Sequence, residues 1–573
     1  MLDGIDSTLI FIFKLIFAFI VIALVILFIY DRYIQRRHQL LINYPIIGRF
    51  RYLFEALREP LRQYFAQESF YESRDKIDWV YKAAKDVPNF ISFSPSQSTH
   101  GSKIMLKHSF RVLNENEVSD DFSVIFGKNR PTPYIAPSPI VRSAMSDGAL
   151  SPEAVRAFAL GATLSRFTLN TGEGGLTTNF FYTHKVDAKS LPYLETVSGG
   201  WFSQTIFNIA DKIFNRAVAL KIYRNLALRS STRNTYLYDN DSHLLYRINW
   251  NAPIEDFPLQ TPPDLPNMIL QIGSGLYGVR NPDGSFNSDR FAKSMRFCRM
   301  SEIKLAQGAK QTGGKLAASK VNADIAYYRG VTEGEDLMSP NRFPFASSND
   351  ELFDFIGTLQ ELSGKPSGVK IVISNPDDVE EFVKTIKDRV DNNRSYPDFI
   401  SLDSGDGGSA TAPLEMMSNI GLSTHDSLYI LNSLLEKYDL KDEIKIIISG
   451  KILTPDDVVI ALAMGADAVG IARGFMMSGG CIRARLCSGT GSHQCPVGLA
   501  TQNPKLRASY LVVQKAGEIA SYHTNLLRGI KTLISVMGVE SIKYLNKKQL
   551  NFKDDRDEIY FDIDRYFSKK FYS

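Results

Sequence analysis

Cysteine is scarce in this chain, with four among 573 residues, which excludes a small secreted scaffold held together by disulfides. Charge of one sign is lacking too: the formal net charge is +4, too little over this length to argue for wrapping nucleic acid. Charged residues make up 22% and hydrophobic residues 44%, which excludes both a disordered chain and a polytopic membrane protein. Long apolar runs are absent save one. Residues 9–30 read LIFIFKLIFAFIVIALVILFIY, broken only by Lys14, and ~20 apolar residues suffice for a helix to cross a bilayer. No Ala-x-Ala pattern follows, as a cleaved signal peptide would need; Asp31, Arg32, Tyr33, Arg36, Arg37 and His38 come instead, and only Asp3 and Asp6 lie upstream. Positive residues favour the cytoplasmic side, so residues 1–39 read as a single-pass anchor, N-terminus out, with a cytoplasmic body.

The length suggests two to four domains, or an α/β barrel of ~250 residues with additions. Residues 40–130 read as a polar, aromatic-rich lead-in with helical stretches near 51–65 and 79–85. After that, strands and helices alternate. Ser151-Pro152-Glu153, Asn375-Pro376-Asp377 and Thr454-Pro455-Asp456 each offer a capping side chain, a proline for the first turn and an acid for the helix dipole. They follow the apolar segments IVRSAM, VKIVIS and IKIIIS; RFTLN at Arg166, MILQI at Met268, EIKLA at Glu302, DFISLD at Asp398 and AVGIA at Ala468 bring the strands to eight. Eight strand–helix units predict a TIM-type (β/α)8 barrel over 131–510, interrupted at about 177–267 and followed by a helical extension over 511–573. Inside the interruption, 203–229 reads as one amphipathic helix, with Ile206, Ile209, Ile213, Ala217 and Leu220 on one face. Lys212, Arg216, Lys221, Arg224 and Arg229 make its other face basic, suited to solvent or to an anionic membrane surface.

Function in such a barrel sits at the C-terminal strand ends. Ser449-Gly450 and Ala472-Arg473-Gly474 follow the seventh and eighth strands, where backbone amides and an arginine can grip a phosphate. Asp403-Ser-Gly-Asp-Gly407-Gly408 is a small-residue loop suited to close approach by a flat ligand, and Asn170-Thr-Gly-Glu-Gly-Gly175 places Glu173 in the mouth. Lys304 and Gln307 lie on or just after the fourth strand, where a lysine suits a developing anion. Each of these also has a plainer reading as a turn, a connection or an exposed side chain. Cys481, Cys487 and Cys495 fall within fifteen residues. On a cytoplasmic loop such thiols point to metal: zinc with His493 as fourth ligand, or an iron–sulfur cluster with three ligated irons. Cys298 reads as a buried apolar residue.

The motifs SAMSDGALSPEAVRAFALGA, NTGEGGL, LQIGSGLYGVR, EIKLAQGAK, DSGDGG and GADAVGIARGFMMSGGCIRARLC…CPVGLATQNPKL resemble the FMN-binding synthase domain of the glutamate synthase family, in its stand-alone, membrane-tethered form. The resemblance covers about 40–177 and 267–506. It implies a barrel holding FMN with a 3Fe-4S cluster beside it, and reduction of 2-iminoglutarate, formed from 2-oxoglutarate and ammonia, to L-glutamate. By position it implies that Ser449, Gly450, Ala472, Arg473 and Gly474 hold the FMN phosphate. Met145 and Ser146 would run along the flavin, Asp403, Gly407 and Gly408 would approach it, and Lys304 would face its pyrimidine edge. Gln307 and Glu173 fall close to substrate and ring, and Cys481, Cys487 and Cys495 match the cluster ligands.

Departures from the family pattern are specific. Seven residues separate Cys487 from Cys495, where the family usually has four. After Ser339-Pro340 the family keeps small residues and a histidine, whereas this chain has Asn341-Arg342-Phe343, and Arg342 could take a substrate carboxylate bidentately. No cysteine precedes Cys298 to serve a glutaminase, and no second strand–GxGxxG–helix pattern offers an NADPH site. Ammonia and electrons are therefore expected from elsewhere: free ammonium, ferredoxin, a reductase subunit or a membrane carrier. Two other readings stay open, a flavin enzyme of this fold with a different substrate and a non-catalytic membrane scaffold.

Overall fold

In the computed structural model the chain divides into two units, Met1–Phe70 and Tyr71–Ser573. The structure describes residues 2–35, 41, 43–50, 53–54, 57, 73–89, 104–183, 191–197, 201–220, 222, 237–238, 245–308, 313–413, 415–417, 419–488, 494–507, 509–554 and 558–571. In the first unit the apolar run forms helix α1 (Leu2–Ile29), continued by a wider turn over Tyr30–Ile34. The stretch Phe11–Ile34 is long and apolar enough to cross a membrane. Just past α1 the buried Asp31 carboxylate takes Arg49 in a two-pronged ion pair, Nε at 2.9 Å and Nη2 at 2.6 Å, and accepts the Ile46 N–H at 3.1 Å. The helix expected over 51–65 lies mostly outside the described residues.

In the second unit all eight expected strands are present: β1 (Ile140–Arg142), β2 (Thr168–Asn170), β3 (Asn267–Ile272), β4 (Met300–Lys304), β5 (Ser367–Val372), β6 (Phe399–Asp403), β7 (Lys445–Ser449) and β8 (Ala468–Ile471). They are parallel, each beside the next in the chain, and β8 pairs with β1 to close a TIM-type barrel. A hairpin of Val124–Phe126 and Tyr134–Ala136 plugs the end where the strands start. Phe126 packs edge-on against Phe399, the first residue of β6, and the Tyr134 hydroxyl lies 2.7 Å from Thr168 Oγ1 on β2.

Helix α2 (Arg74–Ala84) falls on the second expected lead-in helix. Helix α3 (Pro152–Ser165) starts where its cap predicts, the Ser151 hydroxyl accepting the Ala154 N–H at 3.2 Å. Helix α4 (Trp201–Ile213) is shorter than the single amphipathic helix expected over 203–229. Asn215 breaks the run: its side chain accepts the Val218 N–H at 2.9 Å and caps a new turn. Among the described side chains of α4 the buried ones are Phe207 and Ala210, whereas Ile209 and Ile213 of the expected apolar face are exposed; Leu220, beyond α4, is the buried residue of that face. Lys221, Arg224 and Arg229 lie outside the described residues. Helices α5 (Pro376–Asp391) and α6 (Pro455–Ala463) begin at the two other capped prolines, α5 under Asn375 and α6 under a reciprocal Thr454–Asp457 cap. Helix α7 (Arg473–Ser478) follows β8, and α8 (Val512–Val536) lies against α3, where a Cβ on Gly161 would stand 2.7 Å from Ile519.

The segment 511–573, expected to be helical, is so only in part. Leu550–Lys553 pairs antiparallel with Ile104–Leu106 and with Ile559–Tyr560, so the chain's end closes a small sheet with the lead-in. Cys298 is fully buried just after the helix Ser288–Met295, as expected of an apolar residue, and burial pushes its thiol up to about 12.

Candidate active site

Polar side chains collect at the C-terminal ends of the strands, although they sit in apolar sequence. Glu302, on β4, points into the barrel and is 2% exposed. Its carboxylate accepts Asn170 Nδ2 at 2.8 Å, Gln271 Nε2 at 2.6 Å and the Ser401 hydroxyl, gathering β2, β3 and β6 onto one buried charge. Lys370 Nζ lies 3.1 Å from Asp403 Oδ2. Burial opposes the Lys370 charge, yet the carboxylates of Asp403 and Glu302 outweigh it and hold the ammonium above its ordinary value. Asp403 also accepts the Ser449 hydroxyl at 3.0 Å and the Gly308 N–H at 3.1 Å, which ties the ends of β4, β5, β6 and β7 together. Asn170, Glu302, Lys370, Ser401 and Ser449, with Gly470, line a small cavity inside the barrel.

Beside it, Lys304 Nζ bonds Glu173 Oε2 at 2.9 Å, with Lys304 only 7% exposed. Two glycines make room for the carboxylate: a Cβ on Gly273 would stand 2.4 Å from Glu173 Oε2, and one on Gly314 would stand 1.9 Å from Oε1. Gln307 Nε2 reaches Ser409 Oγ at 3.2 Å, next to the Asp403–Gly408 loop. Met145 and Ser146 follow β1. Gly172, at φ +69°, lies against them so closely that a Cβ would come within 2.6 Å of the Ser146 amide nitrogen. Arg329 approaches from the other side, Nη2 at 3.3 Å from Ser146 Oγ and 3.1 Å from the Asp147 carbonyl. Burial pushes the Arg329 guanidinium below its ordinary value, with Glu173 the first charge countering that.

The glycine turns converge as well. Arg473 reaches across to within 3.6 Å of a Cβ on Gly408, bringing the loop after β8 to the loop after β6. Gly450 holds φ +140°, and a Cβ there would strike Ser404 Oγ at 2.1 Å. Ala472 caps α7, and Gly474 sits tightly under the Tyr522 hydroxyl. Gly407 N–H bonds the Ser404 carbonyl at 2.9 Å, which shapes the same loop. Arg342 is exposed, whereas Asn341 accepts the Gly313 N–H at 3.3 Å near the Glu173 cradle.

The three remaining thiols lie on the segment that follows α7. The segment after Cys495 is bonded to the loop after β1, Gln502 Nε2 donating to the carbonyls of Gly148 (3.1 Å) and Leu150 (2.7 Å). Cys481, Cys487 and Cys495 are unpaired. Burial pushes the Cys481 thiol up to about 11, and the neighbouring thiols Cys487 and Cys495 push it further the same way, so the three lie within reach of one another's charge. Among the described residues no three His, Cys, Asp or Glu side chains close on a single ion, and His493 lies outside them. Three cysteine thiols are ligands of the type that iron–sulfur clusters take. Cys481 Sγ accepts the Arg483 N–H at 3.3 Å, and Arg483 and Arg485 both hold left-handed backbone, φ 60° and 58°, a strain that collects at ligand-wrapping loops.

No sequence motif assigns a role to Glu302, Lys370, Gln271, Ser401 or Arg329; the signal that the first four carry is an inward polar residue in an apolar parallel strand, as with Glu302 two positions before Lys304.

Residues 92–540 match the family described as a conserved region in glutamate synthase. A glutamate synthase large subunit-like protein of Bacillus subtilis, YerD, is 29% identical over 91% of this chain and 91% of its own length. An archaeal-type glutamate synthase [NADPH] of Dehalococcoides mccartyi is 27% identical over 59% of this chain and 61% of its own. The ferredoxin-dependent glutamate synthase of Cyanidium caldarium is 30% identical over 57% of this chain, a match that spans only 20% of that enzyme.

Proposed function

The chain belongs to the glutamate synthase family, and from that premise we propose that it reduces 2-iminoglutarate, formed from 2-oxoglutarate and ammonia, to L-glutamate at the barrel mouth. The observation that carries this reading is the pair of buried ion pairs there, Lys304–Glu173 and Lys370–Asp403, beside a cluster of glycine turns.

The mouth fits FMN. Ser449, Gly450, Ala472, Arg473 and Gly474 would hold its phosphate, with Gly450 packed against the Ser404 and Thr424 hydroxyls. Met145, Ser146, Asp403, Gly407 and Gly408 would line the ring, and Lys304 would face its pyrimidine edge. When bound, FMN supplies the hydride that reduces the imine carbon. The chain's own part is orientation and charge. Arg329, buried beside Ser146, would present a cation to a substrate carboxylate. Glu173, held in place by Lys304 and two glycines, orients the nitrogen end and can hold a proton there. Gln307 adds an amide at the rim. Cys481, Cys487 and Cys495 would ligate a 3Fe-4S cluster that passes electrons from a separate donor such as ferredoxin or a reductase subunit. Helix α1 would anchor the chain in a membrane as a single pass, N-terminus out and catalytic body cytoplasmic.

The test is anaerobic reduction of detergent-solubilised protein followed by mixing with 2-oxoglutarate and ammonium. Flavin reoxidation that needs both supports the reading; reoxidation indifferent to either contradicts it.

A further inference from the structure

The chain just after α1 carries a row of large apolar side chains that stay exposed. Residues 47–50, 53, 54 and 57 are helical, and Ile47, Phe50, Phe54 and Leu57 recur at the three- and four-residue spacing that puts them on one face. Each is between 41% and 71% exposed, and Leu53 beside them is exposed too. A contiguous apolar stripe of this kind marks an interaction surface. Its place is fixed by Asp31, at the end of the apolar run. The buried Asp31 carboxylate holds Arg49 through two bonds and accepts the Ile46 N–H. Ile46, a β-branched residue, is thereby kept in left-handed backbone at φ 63°. The Gly48 N–H donates to the Tyr44 carbonyl at 2.8 Å and closes the same turn. Arg49, two positions after Ile47, lies off the apolar face, so the ion pair fastens the segment to the end of α1 and leaves the stripe open. Over positions 31–60 the sequence has six arginines against three acids, a balance that an anionic leaflet attracts.

We propose that the stripe of Ile47, Phe50, Phe54 and Leu57 lies in the headgroup layer of an anionic bilayer, next to where α1 leaves it. The Asp31–Arg49 pair is the corner that turns the chain from across the membrane to along it. The proposal rests on the reading of α1 as a membrane span. A helix with one apolar face and basic residues elsewhere settles in this position, its apolar side sunk roughly 5–10 Å into the boundary between headgroups and acyl chains. Charges near that depth are costly unless paired, and Asp31 and Arg49 pair with each other.

The experiment replaces Ile16 in α1, Phe54 on the stripe and the exposed Leu259 of the second unit, one at a time, by the photo-crosslinking residue benzoylphenylalanine. The full-length protein is carried in nanodiscs of mixed phosphatidylcholine and phosphatidylglycerol, and adducts are identified by mass spectrometry. Lipid adducts from the Ile16 and Phe54 positions, and none from the Leu259 position, are the expected result. In Asp31→Asn the yield from the Phe54 position is expected to fall while that from the Ile16 position is unchanged. An undiminished Phe54 yield in Asp31→Asn overturns the assignment of the corner. Lipid adducts from the Ile16 position but not from the Phe54 position overturn the proposal and leave α1 as a span, whether Phe54 reacts with the protein's own body, with a second copy or with nothing. Equal lipid yields from the Phe54 and Leu259 positions overturn it too, since contact with lipid would then not depend on the stripe. No lipid adduct from the Ile16 position contradicts the span itself, and the proposal falls with it.

Discussion

Lys304 on β4 and Glu173 after β2 meet at 2.9 Å across the barrel mouth, in a gap that Gly273 and Gly314 leave open. On the proposed reading this pair would stand beside the reacting atoms of a bound substrate, and it can be taken apart one side at a time.

Lys304→Ala is expected to fold and to retain flavin, while kcat/KM falls by ~10²-fold or more, the usual cost of removing one preorganised electrostatic group. Steady-state kinetics with the flavin content measured in parallel checks this. Unchanged turnover would remove Lys304 from the chemistry.

Gly314→Ala separates position from stability. The new Cβ would meet Glu173 Oε1 at 1.9 Å, but that oxygen is the tip of a flexible side chain. The carboxylate is expected to swing away, so turnover falls while thermal stability changes by less than ~1 kcal/mol. Melting curves beside kinetics distinguish this from a general packing defect.

Gly450→Ala is expected to act on both. Its φ of +140° is strained for any other residue, and the Cβ would strike Ser404 and Thr424. A loss of ~1–3 kcal/mol of stability, with weaker flavin retention, is the predicted outcome, read by denaturant melts and by flavin released on gel filtration.

Stability should fall in mild acid because of His523. This side chain is buried, its Nε2 lies 2.9 Å from Ser138 Oγ, and burial pushes its imidazole down to about 3. An unfolded histidine titrates near ~6.5, so between ~6.5 and ~3 the unfolded chain binds a proton that the native chain refuses. The contribution is complete above that window and is lost by ~1.4 kcal/mol per pH unit as pH falls through it. Denaturant melts at pH 7 and pH 5 should show a smaller difference in His523→Gln than in wild type.

Much of this fold was legible because the barrel is built from local signals. The eight strands are short apolar runs, and Ser151, Asn375 and Thr454 start helices where their side chains can cap them. Other features depend on partners distant in sequence. Leu550–Lys553 becomes a strand by pairing with Ile104–Leu106, more than 440 positions away, and no local pattern announces that. The α4 segment has good helical spacing, yet Asn215 offers a competing cap and the packed face is set by Phe207 and Ala210. At the site, the glycine turns, Lys304 and the cysteines stood out as residue types in a recognisable order. Glu302 and Lys370 did not, because an inward-facing charge in a strand acquires meaning only when β2, β3 and β6 bring Asn170, Gln271, Ser401 and Asp403 to it.

The most direct test supplies ¹⁵N-ammonium and 2-oxoglutarate to the purified full-length protein under a chemically reduced electron donor and follows ¹⁵N in glutamate by mass spectrometry. Labelled L-glutamate formed over many turnovers, and lost in Lys304→Ala, is the predicted result. A flavin-loaded, reducible protein that forms no labelled glutamate would contradict the account.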